Sequence, residues 1–115
     1  MVGQETIIEI AGKIAERFRP EKIILFGSHA RGEATQDSDL DLLVVVRRPA
    51  PRGRRSAPII KMLAEEYDLP IDVIVRSGKA LERWSGVPGT LSHQIAQEGV
   101  ILYERRRSRR SRVTA

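Results

Sequence analysis

The chain has 115 residues, no Cys, two His, and 20 Lys and Arg against 15 Asp and Glu, for a formal charge of +5 at pH 7. This length builds one compact domain and is too short for two, so any catalytic site is open to solvent or completed by a partner protein. The lack of Cys excludes disulfide frameworks, thiolate chemistry and Cys-based metal centres, and it suits a reducing cytoplasm.

The amino terminus turns acidic and amphipathic at once, unlike a secretory signal, and no apolar run approaches the ~20 residues that span a bilayer, so a soluble cytoplasmic protein is expected. Over residues 5–19, Ile7, Ile8, Ile10, Ala11, Ile14, Ala15 and Phe18 give the pattern of a helix with one buried stripe, which Pro20 stops. Residues 22–26 are short, β-branched and apolar, and read as a buried strand. Gly27 follows, and the chain then enters a short helix. Residues 39–46 open with alternating polarity and become continuously apolar, as in a central strand with an exposed start.

Ile59, Ile60, Leu63 and Ala64 give a second amphipathic helix between residues 56 and 67, with Pro58 tolerated in its first turn. A strand follows over residues 71–75, then short helical segments at 80–84 and 90–97. An apolar strand or strap at 100–103 closes the domain. The order α-β-β-α-β-α-α-β predicts an α/β (α+β) domain with a small mixed sheet covered by helices.

Charge concentrates in two places. Arg47, Arg48, Arg52, Arg54 and Arg55 alternate with Pro and Gly in a stretch, 47–56, that cannot build a core and reads as a mobile loop within a domain spanning 1–104. Arg105, Arg106, Arg107, Arg109, Arg110 and Arg112 form a basic tail over 105–115 that is expected to be disordered. Without those six, 14 basic residues remain against 15 acidic, so the body is nearly neutral. The tail offers an electrostatic contact to nucleic acid or an acidic partner, but no interleaved aromatics are present to stack bases.

The residues that carry chemistry are three acids placed where a sheet ordinarily holds neutral side chains. Asp39 and Asp41, two apart on a strand, point to one face, and their mutual repulsion calls for a cation or free hydration. Asp72 joins them if its strand lies alongside. Three oxygen donors on a rigid platform suit Mg²⁺, completed by water and substrate phosphates. Two such ions about 3.5 to 4 Å apart can activate an attacking oxygen and steady a leaving pyrophosphate. Upstream, Gly27 lets a phosphate approach the backbone, and Ser28 offers a hydroxyl and a cap for the helix that follows. The turn is neither a Walker loop nor a dinucleotide fingerprint, and it lacks the serine-hydrolase elbow. His29 reads as a structural loop residue and His93 as a surface one. Trp84 is equally a core residue or a partner-contact anchor.

Gly27-Ser28, ten residues, then Asp39-Leu40-Asp41, with Asp72 on a later strand, resembles the signature of the DNA polymerase β-like nucleotidyltransferase superfamily. The similarity is to its minimal nucleotidyltransferases, and it extends from Ile23 to about Tyr103. The resemblance implies an enzyme that uses Mg²⁺, as two ions, and ATP to move AMP onto an acceptor. Asp39, Asp41 and Asp72 would hold the metals, Asp72 would help deprotonate the acceptor, and Gly27, Ser28 and Arg31 would bind the nucleotide. Members of this size resemble antitoxins whose partner is a HEPN ribonuclease toxin. The acceptor implied is a tyrosine of that toxin, and adenylylation would silence its RNA cleavage. Two other readings stay open at this level: an antitoxin that neutralises by binding alone, and a nucleic-acid-binding module using the basic tail.

Overall fold

The computed structural model describes residues 2–48 and 56–106. Most of the Arg/Pro stretch and of the basic tail therefore lies outside the described residues. The elements run α1 (Gln4–Phe18), β1 (Lys22–Phe26), α2 (Ser28–Arg31), β2 (Leu40–Val46), α3 (Ala57–Glu66), β3 (Ile71–Ser77), α4 (Gly78–Trp84), α5 (Leu91–Glu98) and β4 (Val100–Glu104). The four strands form one mixed sheet in the order β3-β2-β1-β4. β1 runs antiparallel to both β2 and β4, while β2 and β3 are parallel and joined through α3. Among the described residues no helix is long and apolar enough to cross a membrane.

The period-2 alternation of the central strands sorts their side chains into two layers. Ile23 and Leu25 of β1, with Leu40, Leu42 and Val44 of β2 and Val73 and Val75 of β3, meet Ile7, Ile10, Ala11 and Ile14 of α1 and Ile59 and Leu63 of α3. On the opposite face Ile24, Phe26, Leu43 and Val45 pack with Ile95 of α5, Leu81 of α4 and Leu91. β2 is thus covered on both sides, which is why its sequence is nearly all apolar. Asp41 belongs by alternation to the α4/α5 face, with Leu43 and Val45. Asp72 belongs there with Ile74.

Boundaries differ from the sequence expectation in a few places. β2 begins at Leu40, whose N–H donates to the Pro70 carbonyl at 2.9 Å, and Asp39 stands just outside it. Pro70 has no N–H to extend the ladder there. β3 runs on to Ser77, whose hydroxyl accepts the Ala80 N–H at 3.2 Å and caps α4, so that helix starts at Gly78. The closing segment is a strand, with a register shift between Ile23 and Ile24 of its partner β1.

Candidate active site

At one end of the sheet the register sets Phe26 opposite Asp41 and Asp41 opposite Asp72. These two carboxylates are therefore direct neighbours on adjacent strands and share a face. Asp41 is half-buried, whereas Asp72 and Asp39 are exposed. Burial is the largest influence raising the Asp41 carboxyl above its ordinary range, followed by the negative charges of Asp72 and then Asp39; His29 and Arg31 pull it back. The site therefore sets like charges close together, offset in part by His29 and Arg31.

Gly27 closes the end of β1 against this row. Its φ is +80°, and a Cβ there would meet the Asp41 carboxylate, with Asp41 Cγ at 3.1 Å and Asp41 Cβ at 3.3 Å. Only glycine satisfies both the backbone and the contact. The Gly27 carbonyl accepts the N–H groups of Ala30 at 3.0 Å and Arg31 at 3.1 Å, which opens α2. Gly27 is itself the N-cap, so Ser28 is the first helical residue and does not cap with its hydroxyl, contrary to the sequence expectation. Ala30 and Arg31 thus have an acceptor at the turn, while the Ser28 and His29 N–H groups have none inside the helix.

Asp39 is positioned from two sides. A tight knot precedes it, in which the Ser38 hydroxyl accepts the Thr35 N–H at 2.9 Å and the Ser38 N–H donates back to the Thr35 carbonyl at 3.1 Å. His29 Nδ1 lies 3.1 Å from the Asp39 carbonyl, and since a carbonyl only accepts, this nitrogen is the donor. His29 thus ties α2 to the start of β2, a structural part for which the sequence carried only a weak signal. His93 likewise serves structure, with Nδ1 at 2.9 Å from the Ser85 carbonyl between α4 and α5. Trp84 is 48% exposed and outside both buried clusters.

Arg31 is at the other end of α2 and is already engaged. Its Nε donates to Glu33 at 2.8 Å and its Nη1 to both oxygens of Glu98 at 3.1 Å. Glu98 was not visible to sequence reasoning, because nothing local announces that residue 98 meets residues 27 and 31.

Among the described residues no group of three or more His, Cys, Asp or Glu side chains already converges as a metal-holding cluster. The donor chemistry nevertheless fits a hard divalent cation. Asp41 and Asp72 adjoin, Asp39 is close enough for its charge to raise Asp41, and the two exposed carboxylates have room to turn toward the third.

Residues 7–101 match the nucleotidyltransferase domain family. The chain is similar to putative protein adenylyltransferase MJ0604 of Methanocaldococcus jannaschii, at 43% identity over 108 residues, covering 90% of this chain and 100% of that one. It is also similar to protein adenylyltransferase MntA of Thermococcus cleftensis, at 30% identity over 83 residues, covering 72% and 79% of the two chains. By contrast it spans only 54% of the length of another Methanocaldococcus relative, MJ0141. A crystal structure of a toxin–antitoxin with AMP-PNP shares the fold, with a TM-score of 0.64 at 21% identity over 91% of this chain and 76% of that one. The extent of the family match, together with full-length kinship to MJ0604, shows that this chain belongs to the nucleotidyltransferase domain family and is a nucleotidyltransferase enzyme.

Proposed function

We propose that this enzyme transfers AMP from ATP to a tyrosine of a HEPN-type toxin, with Mg²⁺, and thereby acts as the antitoxin of a two-protein module. The observation that carries the reading is the Asp41–Asp72 row set against Gly27, an acid pair that calls for a divalent cation beside a turn that a phosphate can approach. The names of the relatives, protein adenylyltransferases, and the toxin–antitoxin assembly of the structural neighbour support the same direction.

In this reading Asp39, Asp41 and Asp72 hold Mg²⁺, which supplies charge neutralisation for the triphosphate and for the departing pyrophosphate. The backbone turn at Gly27 admits the phosphate chain without a side chain in the way. Ser28 presents its hydroxyl and N–H to the phosphate oxygens. Arg31, although held by two carboxylates, keeps a Coulombic pull on the site. Asp72 is exposed on the rim, and in this reading it receives the hydroxyl proton of an incoming phenol as the oxygen attacks the α-phosphorus and pyrophosphate leaves. The open rim requires the toxin to cover the reacting atoms.

The test is to incubate the protein with ATP, Mg²⁺ and the product of the neighbouring gene, and to weigh both proteins. The toxin is expected to gain one or more AMP units on tyrosine, with no gain when Asp39 and Asp41 are both changed to Asn or when EDTA is present. Neutralisation that survives the double substitution at full potency, with no mass gain, identifies an antitoxin that works by binding alone.

A further inference from the structure

We propose that Glu98 is a positioning residue for the nucleotide turn: from the end of α5 its carboxylate pins both Gly27 and Arg31, and so holds the turn in the form a triphosphate meets. The proposal rests on the nucleotidyltransferase reading and adds a residue far in sequence from the Gly-Ser and Asp-x-Asp motifs.

The β1–β4 ladder ends with Leu25 opposite Val100. Beyond that pair the main chain has turned into α5, and the Gly27 N–H would lose its acceptor on this edge. The Glu98 side chain takes over, with Oε2 accepting that N–H at 2.7 Å. Gly27 is buried, so an unmet amide there would be costly.

The same carboxylate receives Arg31 Nη1 on both oxygens at 3.1 Å, and Gln94 Nε2 on Oε2 at 2.9 Å. α2 has only four residues and cannot persist by its own hydrogen bonds. Fastening its two ends to one anion replaces that missing cooperativity. The anion is itself held in place: Glu98 is 18% exposed in its side chain. The next residue, Gly99, has no room for a Cβ, which would meet the Ile95 carbonyl at 2.6 Å and Ile24 Cγ2 at 2.8 Å. The chain therefore enters β4 pressed against β1, which keeps Glu98 within reach of the turn.

The experiment measures binding of AMP-PNP with Mg²⁺ by titration calorimetry, alongside melting temperatures and ATP kinetics. The expected result is binding by the wild type and about tenfold weaker binding by Glu98→Ala, the cost of one unmet buried amide. KM for ATP should rise more than kcat falls. Glu98→Gln keeps an oxygen for Gly27 but loses the ion pair, and should bind roughly two- to fourfold more weakly at an unchanged melting temperature. A wild type that binds, with a Glu98→Ala that binds as tightly or more tightly, overturns this inference alone and marks the carboxylate as a bystander or a competitor. A wild type that binds no analogue overturns the nucleotide reading and this inference together. Should Glu98→Ala fail to fold, Glu98→Gln decides, with unchanged binding overturning the proposal.

Discussion

β2 and β4 flank the same strand, both antiparallel to β1, yet they are built in opposite ways. β2 buries five of its seven residues and carries an acid, Asp41, near its start, between the buried Leu40 and Leu42. β4 buries none of its five, and Val100 and Ile101 are 44% and 52% exposed along an open groove of about 560 Å³ shared with Ile7 and Ile8 of α1. The difference teaches where a small domain can place unfavourable chemistry. Only a strand anchored on both faces tolerates Asp41 beside Asp72 without moving, whereas β4 meets the core only in part, through the half-buried Leu102 and Tyr103.

The comparison breaks most easily at the core. Leu43→Ala in β2 is expected to cost about 2 to 5 kcal/mol in denaturant unfolding, since Leu43 is fully buried between sheet and helices. Ile101→Ala should cost far less, and equal losses in the two strands would refute the contrast. Next in size is Gly27→Ala, which drives a Cβ into Asp41 at a left-handed φ. It should lower AMP transfer by about 10²-fold and unfolding stability by about 1 to 3 kcal/mol, read by toxin mass gain and thermal melts.

Asp41→Asn sharpens the contrast in the other direction, because it should abolish transfer while stabilising the metal-free fold at pH 7 by roughly 0.2 to 1 kcal/mol, at the low end given solvent screening. The sign follows from the raised Asp41 pKa. The folded state holds that proton more tightly than the unfolded chain, so this contribution is complete below the ordinary carboxylate range and is lost as pH climbs through the folded value. Melting temperatures of wild type and variant in EDTA should therefore converge in acid and separate toward neutrality. Ile101→Lys, on the exposed edge, is the smallest change, within about 0.5 kcal/mol.

Much of this architecture can be read from residue order. β1, β2 and β3 announce themselves as short β-branched runs, and α1 by its stripe of Ile7, Ile10, Ala11 and Ile14, because burial of those faces is what the elements exist to achieve. The adjacency of Asp41 and Asp72 was conditional on strand pairing, which one chain's pattern does not settle; the parallel register supplies it. The start of β2 at Leu40 depended on Pro70 across the ladder, and the cap of α4 on a side-chain bond at Ser77, both invisible to periodicity. Glu98 is the clearest case. Its partner Gly27 is 71 positions away, and the pairing exists only because β4 returns beside β1. Local pattern carries elements well and long-range hydrogen bonds poorly.

The contact between Gly27 and Asp41 also constrains how this sequence can change over time. A side chain at position 27 would press on the carboxylate, Cγ and Cβ of Asp41, so while the acid is kept each replacement of the glycine carries a loss of fold stability and of transfer. The acid thus selects for the glycine beside it, and a descendant that keeps full activity inherits the two together.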